Sequence, residues 1–132
     1  MKVSYRLEDG FTGTLANSRG HEITCDLPEA AGGANKGAKA FELLSMSLAG
    51  CIGTIFVDVA RKMRLDIQDV RIEMETKDGD TIEEVSYKCV VKSTSPEAKL
   101  ARCLDLTEKT CPVGLVFHKA GIPISHTLEI IG

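Results

Sequence analysis

Polar and apolar residues alternate through the first thirty positions in the manner of a β-meander. Val3, Tyr5 and Leu7 alternate with polar partners, and Asp9-Gly10 supplies a turn. A second short strand is predicted over Thr12 to Leu15, ending at the turn signal Asn17-Ser18-Arg19-Gly20, and a third over Glu22 to Leu27, ending at Pro28. The stretch Gly32-Gly33-Ala34-Asn35-Lys36-Gly37 has no periodicity. It lacks the Gly-Lys-Ser/Thr ending of a phosphate loop and reads as a connector.

From Ala38 to about Met63 the period changes to three and four, through Leu44, Leu48, Cys51, Ile52, Ile55 and Val59. The opposite face is hardly more polar, so the helix is expected to be central. Ala49, Gly50 and Gly53 would let a second backbone approach, and Arg61, Lys62 and Arg64 suit its C-terminal dipole. Alternation returns over Ile67 to Lys77 and, after Asp78-Gly79-Asp80, over Ile82 to Ser93, with Val85, Tyr87, Cys89 and Val91 on one face. Ser95-Pro96-Glu97 opens a helix through Lys109, with Pro at its first position and Leu100, Cys103, Leu104 and Leu106 as its apolar side. Thr110-Cys111-Pro112 begins a short helix to about Lys119, Gly121 ends it, and a last strand covers Ile122 to Ile131. The order of elements is that of an α+β protein.

At 132 residues the chain has the length of one domain, 1–132, and 43% hydrophobic with 27% charged residues is the composition of a folded, soluble protein. A net charge of -3 offers no attraction to nucleic acid or to anionic lipid. The uncharged run Leu43 to Val57 is short of the roughly 20 residues that span a bilayer. The opening MKVSYRLEDG has no apolar stretch like that of a signal peptide. A cytoplasmic location is therefore expected, with no membrane and no nucleic-acid partner.

The five cysteines change the picture more than any percentage does. Their number is odd and no pair has C-x-x-C spacing, which argues against a disulfide framework and a zinc knuckle. Cys25 and Cys89 fall inside strand patterns and Cys103 on an apolar helix side, where free cysteine acts as a small hydrophobe. Cys111 sits at or beside a helix N-cap, because Pro112 fits the first helical position; unpaired amides there favour a thiolate. An ordinary cap is the alternative. Cys51 lies mid-helix on the stripe of Leu44, Leu48 and Ile55, a place more typical of packing than of nucleophilic attack. His21, His118 and His126 share no metal-ligand spacing with a Cys or carboxylate, so neither metal nor cofactor is expected.

Two segments, however, resemble those of a known family. Phe41-Glu42-Leu43-Leu44-Ser45-Met46-Ser47-Leu48-Ala49-Gly50-Cys51, preceded by the Gly-rich loop, is similar to the first helix of the OsmC/Ohr family, and Cys111-Pro112-Val113 to its second signature. The order of elements agrees along the whole chain. The resemblance implies an OsmC-like fold, in an intertwined homodimer with central helices between sheets built by both chains. It also implies a thiol peroxidase acting on organic hydroperoxides. There Cys51 attacks as thiolate and becomes a sulfenic acid, and Cys111 resolves it as a disulfide later reduced by a dithiol. The chain departs from the family's activating residues: Phe11 stands where an Arg is expected, and Ala40 and Phe41 stand at the Pro and Glu positions. Arg19 or Arg6 is a candidate substitute for the first. Glu42 is a candidate for the second, although one residue along a helix rotates a side chain by about 100°. A first-turn carboxylate serving the helix dipole is its plainer role. These departures bring the chain closer to the OsmC-like branch than to typical hydroperoxide resistance proteins. They leave two alternatives to the peroxidase: a small-ligand-binding scaffold and a slow thiol redox sensor.

Overall fold

A computed structural model describes all residues, 1–132. The elements follow in the order β1 (Val3–Asp9), β2 (Thr12–Asn17), β3 (Glu22–Cys25), α1 (Ala40–Lys62), β4 (Asp69–Asp78), β5 (Ile82–Lys92), α2 (Glu97–Thr110), α3 (Pro112–Lys119) and β6 (Ile124–Ile131). The α+β class and the sequence of elements are as predicted. Contacts group the chain into two units, Met1–Ser45 and Met46–Gly132.

In the first unit, β1, β2 and β3 form an antiparallel meander, with Tyr5 opposite Leu15 and Leu15 opposite Ile23. The connector that follows is more than a spacer. Asp26 is buried and its carboxylate accepts from the Thr12 hydroxyl (2.8 Å) and the amides of Leu27 (2.7 Å) and Lys36 (3.2 Å). These bonds outweigh the effect of burial and hold its pKa below the ordinary carboxylate value. Gly33 runs so close to Leu27 that a Cβ would strike the Leu27 carbonyl, and a Cβ at Gly37 would strike that of Thr24. Cys25, half-buried, pairs with Ala38 across the two ends of this loop.

In the second unit, β4, β5 and β6 form a mixed sheet with β5 in the middle, antiparallel to β4 and parallel to β6. A parallel pair needs a crossover, and α2 with α3 supplies it. Alternation builds the inner face: Ile72, Cys89 and Leu128 lie in one row across the three strands, and Met74, Tyr87 and His126 in the next. The core includes Val85, Tyr87, Cys89 and Val91 of β5, Leu100, Cys103 and Leu104 of α2, Phe117 of α3, and Leu48, Ile52, Phe56 and Ala60 of α1. Cys103 Sγ reaches the Phe56 carbonyl at 3.6 Å, where α1 and α2 meet.

Several strand ends shift by two residues: β2 runs on to Asn17, β3 stops at Cys25, β4 starts at Asp69 and β6 at Ile124. Two further features differ from expectation. Pro96 is the N-cap of α2, not its first helical residue, which is Glu97. Helix α1 buries only the stripe Leu48, Ile52, Phe56 and Ala60, at strict four-residue spacing, while Leu44 and Met46 remain exposed within the single chain. By length and composition α1 would suffice to cross a bilayer, a test that core helices of soluble proteins also pass.

Candidate functional site

The second unit brings Cys51 and Cys111 together. Both thiols are free, and their sulfur atoms lie 2.9 Å apart across sixty residues of sequence. Cys51 comes from the middle of α1 and is half-buried; Cys111 is only 1% exposed. A single residue ends one helix and begins another here, because Cys111 is both the C-cap of α2 and the N-cap of α3. Its amide donates to the Thr107 carbonyl (2.8 Å), its carbonyl accepts from the Leu115 amide (3.0 Å), and its sulfur accepts from the Gly114 amide (3.4 Å). Pro112 at the first position of α3 gives up no useful donor there.

The capping expectation for Cys111 is thus met in geometry, but its effect on acidity is reversed. Burial, joined by the Cys51 sulfur, pushes the Cys111 thiol up to about 11, and the amides of Gly114 and Val113 recover only part of that. Desolvation wins because the side chain has almost no contact with water. Cys111 S–H in turn donates to Cys51 Sγ. The result is a directed chain of donors, from the Gly114 N–H through Cys111 to Cys51, whose sulfur is the terminal acceptor.

The residues named as candidates for assisting Cys51, namely Glu42, Arg19 and Arg6, lie in the first unit. Glu42 Oε1 accepts from the backbone amide of Lys39 at 3.0 Å, closing the first turn of α1 as a capping carboxylate. Arg19 lies in the turn between β2 and β3, its amide donating to Asn17 Oδ1 (3.0 Å), and Arg6 pairs with Glu8 at 3.0 Å on the exposed face of β1. His118 occupies the exposed last turn of α3. No group of three His, Cys, Asp or Glu side chains converges as a metal site.

One cluster escaped the sequence reading altogether. Glu108 Oε1 accepts from the Tyr87 hydroxyl at 2.7 Å and contacts His126 Nδ1 at 2.8 Å. A carboxylate can only accept, so the Nδ1 carries the hydrogen. The Tyr87 and His126 rings lie 5.5 Å apart between centroids, on facing positions of β5 and β6. Tyr87 is buried, and burial with the Glu108 carboxylate drives its acidity far below that of a free phenol. Glu108 is 21 and 18 positions from Tyr87 and His126; the parallel register of β5 and β6 sets those two side by side, and the last turn of α2 brings Glu108 to both.

Residues 33–127 match the sequence profile of a family described as OsmC-like protein. Protein YhfA of Escherichia coli (strain K12) is 26% identical over 140 aligned positions, covering 99% of this chain and 98% of that protein. Among solved structures, an OsmC-like protein from Mycoplasma pneumoniae superposes with a TM-score of 0.87 at 16% identity, over 99% of this chain and 96% of the other. An organic hydroperoxide resistance protein from Elizabethkingia anophelis gives a TM-score of 0.71 at 14% identity, over 99% and 97%. At such identities the likeness speaks for the fold.

Proposed function

Since the chain belongs to the OsmC-like protein family, we propose that it is a thiol-dependent peroxidase reducing organic hydroperoxides with Cys51 and Cys111. The observation that carries this reading is the 2.9 Å contact between two free sulfurs on different helices. Cys51 is the attacking sulfur: it is the more exposed of the two and the terminal acceptor of the donor chain. Its thiolate takes the distal oxygen of the hydroperoxide, the O–O bond breaks, and the organic part leaves as an alcohol once protonated. Cys111 then attacks the Cys51 sulfenic acid; an S–S bond forms, the S–O bond breaks, and hydroxide leaves with the Cys111 proton as water. A dithiol reductant restores the pair.

The working particle in this reading is a cytoplasmic homodimer with no cofactor, each chain 1–132 contributing one folded subunit. In support, exposed apolar side chains stand on α1 (Leu44, Met46) and along the meander (Val3, Tyr5, Leu7, Ile23), more than a solitary small protein ordinarily leaves to water. Arg19 and Glu42 remain candidates for assisting Cys51. A slow redox sensor is the second reading, favoured by Glu42 being engaged in capping Lys39 and by Phe11 in place of the family's Arg.

One equivalent of tert-butyl hydroperoxide added to reduced protein, followed by intact mass, tests the proposal. Loss of two hydrogens within seconds, mapped to Cys51 and Cys111 and abolished by Cys51→Ser, is the expected result. An unchanged mass after minutes sinks the peroxidase, and slow loss of two hydrogens points to the sensor.

A further inference from the structure

The cluster of Tyr87, Glu108 and His126 has no part in the chemistry above, yet it sits one helical turn from the resolving thiol. Glu108 lies in the last turn of α2, the turn that Cys111 caps. Its Oε1 atom is gripped from β5 by the Tyr87 hydroxyl at 2.7 Å and from β6 by His126 Nδ1 at 2.8 Å. Those two strands are themselves fixed in register, Tyr87 opposite His126. The end of α2 is therefore tied to two neighbouring strands through one oxygen atom, and the backbone carrying Cys111 begins three residues later. About a quarter of the Glu108 and His126 side chains is exposed, so the tie is sheltered without being sealed. Asp105, Lys109 and His118 border the open cleft of about 560 Å³ beside Glu108.

Placement matters here because an S–S bond is short and narrow in its allowed geometry. Sulfurs already 2.9 Å apart need only a small closing motion, which a loosened α2 terminus would no longer guarantee. We propose that Glu108 is a positioning residue for the resolving sulfur. By gripping Tyr87 and His126 it fixes the last turn of α2, and with it Cys111, against Cys51 for disulfide closure. The inference rests on the reading that these two thiols form a disulfide; it does not require that a peroxide be the oxidant.

Equilibration with oxidised and reduced glutathione tests it. The exchange is balanced: protein dithiol and one glutathione disulfide give protein disulfide and two glutathiones. The equilibrium constant reports the effective concentration of one protein thiol toward the other. Glu108→Ala is expected to lower it about tenfold, whereas Glu108→Gln, which keeps an acceptor oxygen for both partners, stays within about threefold of the wild type. Tyr87→Phe, which keeps the ring in the core and removes one of the two bonds, falls between them. Melting temperature is measured in parallel, since a purely structural role would lower it and leave the exchange constant alone.

A Glu108→Ala protein with the wild-type exchange constant overturns the proposal, whatever its melting temperature. Equal losses in Glu108→Ala and Glu108→Gln overturn it too, because charge and not placement would then be responsible. So does a wild-type protein that forms no Cys51–Cys111 disulfide in glutathione. A wild type that closes the disulfide in glutathione but consumes no hydroperoxide defeats the peroxidase reading alone.

Discussion

Three thiols in the second unit are pushed up by burial, Cys89 to about 12 and Cys103 and Cys111 to about 11, with the charge of Cys103 adding to the effect at Cys89. An unfolded cysteine ionises near pH 8.5, so between there and pH 11 to 12 the folded chain holds more protons than the unfolded one. Stability from these groups is complete below the unfolded value and is lost as pH rises. Urea midpoints at pH 8 and pH 10.5 should therefore differ, and the difference should shrink in Cys103→Ala. At the opposite end of the scale, Asp26 is held low and contributes stability that disappears as pH falls below the carboxylate range; Asp26→Asn should flatten the acid limb of the same curve. Arg64, two residues beyond the end of α1, has φ at 57°, a left-handed conformation that suits glycine, and its side chain is exposed. Arg64→Gly is expected to raise stability by about 0.5–1 kcal/mol in the same denaturant assay.

At the scale of elements, the strands were legible because alternation survives folding: Val85, Tyr87, Cys89 and Val91 do share the inner face of β5. The cap at Cys111 was legible from Pro112. What the chain concealed was set by partners distant in sequence. Helix α1 is apolar on so many sides that its pattern did not single out the buried stripe, and Phe56, wholly buried at its centre, was missed. Phe56→Ala should cost about 3–5 kcal/mol by thermal or urea unfolding, the range for a large aromatic in a packed core. The Gly-rich stretch read as a plain connector because close backbone approach leaves no trace in composition. Gly33→Ala should nevertheless destabilise the first unit by about 1–3 kcal/mol, since rigid Leu27 backbone stands where the new methyl must go. Glu108 was hidden for a different reason: a carboxylate in an amphipathic helix looks solvated until the strands it binds are known.

For the whole molecule, the family and the α+β architecture were readable from two short signatures and the order of elements. The contact between the two thiols could not be derived from spacing, because a separation of sixty positions fixes no distance. The exposed apolar side chains of the meander and α1 belong to this scale too. If they are covered by a second copy, sedimentation at micromolar concentration should give twice the chain mass. Tyr5→Asp or Met46→Asp should then shift the distribution toward the single chain, and a wild type that sediments as a single chain would remove the dimer from the proposal.

The Gly114 amide, finally, makes a hydrogen bond whose acceptor is the Cys111 sulfur itself. A sulfur drawn into a bond with Cys51 is a poorer acceptor than a thiol, so the first turn of α3 loses part of its cap when the pair closes. One backbone proton thus becomes a built-in reporter of oxidation state. Its resonance should move and its exchange with deuterium quicken on oxidation, both reversed by reductant and absent in Cys51→Ser, giving a readout of the site that needs neither substrate nor label.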